Sequence, residues 1–175
     1  MNSTVWYFAR SAGIVAYLLL TSSVLLGILM AGRARFTWPR FAVEEVHRFL
    51  AILTGVFLVL HGGALLLDSV VPISLVQELV PFTSPYRPLA VGLGVTAMLL
   101  IASVGISNAV RGAIPHAVWR RIHYLTLPAW LFASVHGILA GTDAGDPWFA
   151  ALAGGAIAAV AVAAWSRFSP VRLPA

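Results

Sequence analysis

The chain has 175 residues, of which 60% are hydrophobic and only 10% are charged, and its mean hydropathy is +0.92. Soluble domains carry about a quarter charged residues, so this composition excludes a soluble globular enzyme. The absence of cysteine excludes disulfides, iron–sulfur clusters and thiol catalysis. The formal net charge is +5, but the arginines lie in short loops between apolar segments. There they orient a membrane protein, and they do not indicate binding to nucleic acid.

Five apolar segments are long enough to cross a lipid bilayer as helices. They cover residues 6–30, 46–67, 89–107, 122–140 and 148–165. The sequence therefore predicts an all-α membrane protein, with residues 1–175 forming a single bundle of five transmembrane helices. The first segment is too long for a signal peptide and no basic region precedes it, so we expect it to be retained. Little length remains for a separate catalytic domain.

The charges of the loops alternate along the chain. One side of the predicted membrane carries Arg33, Arg35, Arg40, Arg48, Arg111, Arg120, Arg121, Arg167 and Arg172. The other side carries Asp68, Glu78, Asp143 and Asp146, with only Arg10 and Arg87. The positive-inside rule predicts an outer N-terminus and a cytoplasmic C-terminus in the plasma membrane.

The longest loop joins the second and third segments and contains Pro72, Pro81, Pro85 and Pro88. Residues 73–80 are apolar enough to form a short helix on the outer surface. This loop is either a simple interfacial connection or a lid over the outer end of the bundle.

Four of the five histidines lie on two of the predicted spans. His47 and His61 are 14 residues apart on the second, and His123 and His136 are 13 apart on the fourth. Both spans run outward, so each of two levels, about 20 Å apart, receives one histidine from each helix. Two axial imidazoles suit a six-coordinate haem, whereas zinc requires four ligands.

We therefore predict two haem b groups, with His47 and His123 binding the inner iron and His61 and His136 the outer iron. One alternative is that these are buried polar residues paired with hydroxyl groups or the backbone. Another is a proton relay, which would normally include carboxylates. On a straight helix, residues 13 apart do not share a face. We expect Pro128 to kink the fourth span and bring both rings to one side.

Two segments carry a resemblance to a known family. They are His47-Arg48 with His61-Gly62, and Trp119-Arg120-Arg121-Ile122-His123-Tyr124 with Pro128 and His136-Gly137. Both resemble the ferric reductase-like transmembrane domain of NADPH oxidases, ferric reductases and bacterial relatives, and the likeness extends from Arg10 through the fifth span. It implies a di-haem b-type cytochrome that passes electrons across the membrane to an outer acceptor.

The larger family members continue into a flavin- and NADPH-binding domain. Few residues follow the fifth span here, so we expect a separate flavin-containing reductase or a quinol to be the electron donor. The oxidases have a further histidine four residues after the outer ligand, where this chain has Leu65. That difference argues against dedicated superoxide production.

The chain is also similar to the haem subunit of the bacterial methionine sulfoxide reductase system, which works with a separate periplasmic molybdenum enzyme. That subunit lacks a complete histidine pair on the first helix. Ferric iron, oxygen and a periplasmic protein all remain open as acceptors. An alternative function of a different class is transport of protons or metal ions without haem. We assign no catalytic residue, and we interpret the chain as an electron-transfer subunit.

Arginines on both sides are candidates for contact with haem propionates. The family places an arginine like Arg10 near the outer haem, where it would contact a propionate or substrate; otherwise its side chain extends to lipid headgroups. Arg48, Arg120 and Arg121 surround the inner level and could pair with propionates, although the positive-inside rule alone also explains them. The basic loops are suited to an acidic reductase or to anionic lipid.

Two aromatic residues lie between the predicted haem levels. Trp130 or Phe132 could shorten the electron path, and packing against lipid is the alternative. His116 is expected to be an exposed loop residue.

Overall fold

The computed structural model describes residues 3–32, 36–69, 71 and 73–168. Its helices are α1 (Ser3–Ala31), α2 (Arg40–Leu66), α3 (Leu75–Leu79), α4 (Pro88–Ala109), α5 (His116–His123), α6 (Thr126–Ala140) and α7 (Pro147–Phe168). A short 3₁₀ turn, Arg111–Ala113, joins α4 to α5. Arg33, Arg35, Pro72 and Arg172 lie outside the described residues.

Five helical segments in the described part are long and apolar enough to cross a membrane. They are α1, α2, α4, α5 together with α6, and α7, so the predicted all-α fold with five spans is confirmed. The second helix begins at Arg40, before the predicted start at residue 46. Its first turns carry the exposed ion pairs Arg40–Glu44 and Arg48–Glu45. Such pairs one turn apart stabilise a helix where it leaves the apolar layer.

Helix α1 is the centre of the bundle and packs on α2, α6 and α7, while α4 packs mainly on α6. The buried apolar residues of α1 recur every three or four positions and so form one face: Ala9, Ala12, Ala16, Leu20, Val24 and Ile28. Their small members allow close approach of neighbouring helices. The larger members form a core with Trp130 of α6 and with Val160 and Ala163 of α7.

The fourth span is broken between α5 and α6. Proline has no N–H, and its ring clashes with the carbonyl four residues earlier, which for Pro128 is that of Tyr124. At the break, the N–H of Leu125 donates to the Ile122 carbonyl (2.9 Å) and the N–H of Leu127 to that of Tyr124 (3.2 Å). These bonds span three residues where a regular helix spans four. The predicted interruption is therefore confirmed, and it rewinds the chain between His123 and His136.

Four side chains link α1 to α6 in the middle of the bundle. The indole N–H of Trp130 donates to Thr21 Oγ1 at 3.0 Å, and the Tyr17 hydroxyl lies 3.1 Å from Ser134 Oγ. Thr21 and Ser134 in turn donate to the backbone carbonyls of Tyr17 and Trp130. Trp130 is only 7% exposed, so the interpretation of this residue as lipid-facing is wrong.

The long loop after α2 contains the short helix predicted within residues 73–80. Ser74 caps it, because its hydroxyl accepts from the N–H of Gln77 while the Gln77 side chain accepts from the Ser74 N–H. Ile73, immediately before the cap, is buried. After the helix, Phe82 adopts a φ of 65° and its ring lies against Gly92 of α4. The loop is thus anchored at both ends of α3.

We expect Trp130→Phe to lower the free energy of unfolding by about 0.5–1.5 kcal/mol, because it removes the hydrogen bond between α6 and α1. The measurement is a denaturation titration with sodium dodecyl sulfate in mixed micelles. Trp165→Phe is the control, since Trp165 is 75% exposed. Equal effects of the two substitutions would contradict a structural role for the indole N–H.

Candidate functional site

Two pairs of histidines face each other inside the bundle. The ring centroids of His47 on α2 and His123 on α5 are 6.2 Å apart, and those of His61 on α2 and His136 on α6 are 6.3 Å apart. We call His47 and His123 the Arg-end pair, because they lie towards the arginine-bearing ends of α2 and α5. His61 and His136, beside the long loop, are the loop-end pair. The structure brings the four histidines together in the pairs that the sequence predicts.

Three of the four rings are held by a backbone carbonyl of a neighbouring helix. Nδ1 of His61 lies 2.7 Å from the Ala9 carbonyl oxygen, and Nδ1 of His47 lies 2.9 Å from that of Ser23. Nδ1 of His136 lies 2.8 Å from the Ala90 carbonyl oxygen. A carbonyl only accepts, so Nδ1 carries the proton in each ring and donates it. In the neutral imidazole, Nε2 then keeps a free lone pair, which is the state that binds a metal.

A glycine lies four residues after each of these acceptors: Gly13 after Ala9, Gly27 after Ser23 and Gly94 after Ala90. In an α-helix the side chain of residue i+4 lies over residue i, so a glycine there leaves the carbonyl open to a second donor. A Cβ at Gly13 would lie 2.9 Å from Nδ1 of His61, and one at Gly94 would lie 2.6 Å from Nδ1 of His136. At Gly27 the nearest atom would be His47 Cε1, at 3.4 Å.

His123 is held differently. Its Nδ1 is buried and makes no hydrogen bond to any described residue. The ring instead stacks on Trp119, one helical turn earlier, with centroids 5.1 Å apart and an interplanar angle of 26°. Trp119 is fixed by its own hydrogen bond to Oδ1 of Asn108 on α4 (2.7 Å), and the Arg111 guanidinium lies 4.5 Å above its ring.

A cavity of about 220 Å³ opens between the helices at the loop end. Both histidines of the loop-end pair line it, and most of its wall consists of apolar residues from α1, α2, α4, α6 and α7. Arg10, Asp143 and Glu78 are the charged residues of its described lining. Arg10 forms an ion pair with Asp143, and the Asp143 side chain is only 9% exposed. The alternative, in which Arg10 extends to lipid headgroups, is therefore wrong.

The other residues considered in the sequence lie in different surroundings. Arg48 is exposed and paired with Glu45, and Arg121 is also exposed. Trp130 is buried in the middle of the bundle, between the two histidine levels. His116 is exposed, as expected, but it is the first residue of helix α5 and does not lie in a loop. Its ring lies 5.3 Å from that of Trp119.

Glu78 of α3 was not a predicted site residue. A Cβ at Gly62 would lie 3.5 Å from its Oε2, so the carboxyl group lies against α2 next to His61. Burial raises the pKa of Glu78 above its usual value. Its Oε1 is buried and, within the described part of the chain, has no hydrogen-bond partner.

Sequence reasoning also missed the three glycines that face histidine rings. A signal was available, because Gly13 and Gly27 are 14 residues apart on α1, as are His47 and His61 on α2. Other glycines that lie close to the histidines in the sequence behave differently. Built Cβ atoms at Gly55 and Gly63 would meet no described atom within 4 Å, and one at Gly137 would make an ordinary contact with Phe149.

Residues 4–143 match the model of a family described as Domain of unknown function (DUF8596). The match covers more than half of the chain and includes all four paired histidines, so the chain belongs to this family. No curated protein and no solved structure matches the chain.

We expect Gly94→Ala to destabilise the protein by about 1–3 kcal/mol, because the new methyl group displaces the His136 ring from its carbonyl. Gly105→Ala, on the same helix, is the control. A Cβ there meets nothing within 4 Å, so we expect no loss, or a gain of up to about 1 kcal/mol from helix propensity. Denaturant titration of the purified variants in detergent measures both. If the two substitutions shift the transition equally, Gly94 has no special role.

Proposed function

We propose that this member of the DUF8596 family is a di-haem b-type membrane cytochrome that passes electrons across the bilayer. The Arg-end pair would bind one haem iron and the loop-end pair the other. The single observation that supports this most strongly is the facing arrangement of two imidazole pairs, at 6.2 and 6.3 Å between centroids.

The distance between the two rings of each pair fits a haem iron with two histidine ligands. Two imidazoles on opposite sides of one metal ion, each about 2 Å from it through a nitrogen, have ring centroids about 6 Å apart. Three of the rings already present Nε2 as the free nitrogen, because Nδ1 donates to a carbonyl. A small metal ion held by protein ligands alone fits less well. No group of three or more histidine, cysteine, aspartate or glutamate side chains suited to a metal occurs among the described residues.

A bound haem supplies a reversible one-electron carrier, and the protein sets its ligands and surroundings. The carbonyls of Ala9, Ser23 and Ala90 orient three imidazoles and increase their basicity. Arg10 lies in the wall of the loop-end cavity together with both histidines, where it is suited to a propionate, with Asp143 holding the guanidinium. Trp130 lies between the levels, which suits it to the electron path.

The charge distribution supports an orientation of the chain. Among the described arginines, six lie at the Arg end: Arg40, Arg48, Arg111, Arg120, Arg121 and Arg167. Asp68, Glu78, Asp143 and Asp146 lie at the loop end. The Arg end would therefore face the cytoplasm of a plasma-membrane protein. A separate flavin-containing reductase or a quinol would donate electrons there, and an acceptor would receive them at the loop end.

Purified protein should contain two haems per chain and show the spectrum of a b-type cytochrome with two histidine ligands. His61→Ala or His136→Ala should remove one haem of the two, since each eliminates a ligand of the loop-end pair only. His116→Ala, in which the lost ring is exposed, should retain both. The pyridine haemochrome assay measures the content. A colourless protein would contradict the proposal and favour a haem-free transport module. Full haem content after alanine substitution of each of the four paired histidines in turn would contradict their assignment as ligands.

The proposed orientation can be tested because the chain contains no cysteine. We expect Gly112→Cys, at the Arg end, to react with an impermeant maleimide only after cells are opened. Asp146→Cys, at the loop end, should react in intact cells. Both positions are exposed, so each serves as the other's reactivity control. The reverse labelling pattern would invert the orientation and, with it, the direction of electron transfer.

A further inference from the structure

The carboxyl group of Glu78 lies in the wall of the loop-end cavity. It projects from α3 onto α2 beside Gly62, the residue that follows His61. Its Oε1 is buried and, among the described residues, is not hydrogen-bonded. Buried polar groups are nearly always paired, so an orphaned one in a cavity calls for a bound partner.

Two features of its surroundings shift the protonation of Glu78 towards the neutral acid. Burial raises the pKa of Glu78, and the arginine in the cavity wall, Arg10, is already paired with Asp143. A neutral carboxylic acid has one proton to donate. The partner that it can satisfy is therefore a hydrogen-bond acceptor.

The same surroundings select among the electron acceptors. The cavity wall is mainly apolar and presents two acidic side chains beside a paired Arg10. Arg10 is the one cation of the described lining, and it is engaged by Asp143 and by the propionate proposed for it, so anionic chelates of ferric iron would find no free cation there. An uncharged molecule that lies at Glu78 beside the haem, and whose oxygen accepts a hydrogen bond, matches both the apolar wall and the neutral acid.

We propose that Glu78 donates a proton to the molecule that is reduced at the loop end, and that this molecule is an uncharged oxygen acceptor, either a quinone or dioxygen. The inference rests on the proposed function, which supplies the electron. In the step, the acceptor gains one electron from the loop-end haem and one proton from the Glu78 carboxyl. An O–H bond forms on the acceptor as the carboxyl O–H bond breaks. The iron is oxidised by one electron, and the carboxylate recovers its proton from water at the loop end.

The test compares wild-type protein with Glu78→Gln, which keeps the shape of the side chain but removes the acidic proton. Asp146→Asn is the matched control, because Asp146 is an exposed acid in the loop between α6 and α7. Each purified protein is reduced under anaerobic conditions and mixed in a stopped-flow instrument with one of four oxidants. These are a short-chain benzoquinone, dioxygen, ferric citrate and ferricyanide, and the rate of haem oxidation is recorded.

We expect Glu78→Gln to slow oxidation by the quinone or by dioxygen about 100-fold, the lower range for a positioned general acid. Oxidation by the two iron complexes, which take up no proton, should be unchanged. Whichever of the quinone and dioxygen shows the loss is the acceptor that Glu78 serves. Equal rates for all oxidants in both proteins, or an equal loss for all four, would overturn the proposal.

A second measurement does not depend on turnover. Infrared spectroscopy of the wild type should show the C=O stretch of a protonated carboxylic acid, which Glu78→Gln removes and Asp146→Asn retains. A band that persists in Glu78→Gln would refute the neutral acid. If the purified wild-type protein contains no haem, the proposed function is refuted instead. Failure of the Glu78 proposal and failure of the proposed function are therefore distinguishable.

Discussion

The arrangement of the bundle depends on one interaction, a histidine Nδ1–H that donates to a carbonyl within a neighbouring helix. Such a carbonyl already accepts from its own helix, and it accepts a second bond only if the residue four positions later leaves it uncovered. Ala9 with Gly13, Ser23 with Gly27 and Ala90 with Gly94 each meet this condition. These glycines therefore permit close packing of the helices and also leave room for the hydrogen bonds that hold the histidine rings.

This interaction sets the register of α1 against α2. The two acceptors on α1 are 14 residues apart, and so are the two histidines on α2 that donate to them. Because 14 residues return a helix to within about 40° of the same face, two antiparallel helices can meet at both levels without distortion. The 13-residue interval on the fourth span lacks this property. The break after Tyr124, forced by Pro128, compensates for it.

Much of this arrangement could be predicted from the sequence, since hydropathy locates the spans and the 14- and 13-residue intervals locate the two levels. Pro128 also predicts the break between α5 and α6. The acceptors were not predictable in the same way, because a backbone carbonyl has no sequence identity and small residues spaced by four are common in membrane helices. Arg10 illustrates a second limit. Its position suggested a propionate, but its ion pair with Asp143 depends on a loop more than a hundred residues away.

His123 is the exception among the four histidines, because no described carbonyl accepts a hydrogen bond from its Nδ1. Fourteen residues after Gly94, where the pattern of α1 would place a second glycine, α4 has Asn108. That side chain accepts from Trp119, and Trp119 stacks on His123. The position of His123 is therefore set from its own helix α5, through a contact between α5 and α4. A rotation of α5 would move this ring directly, whereas the rings of the loop-end pair are tied to α1 and α4. The two levels thus differ in what holds them: at the Arg end, His47 is tied to α1 and His123 to Trp119 of its own helix.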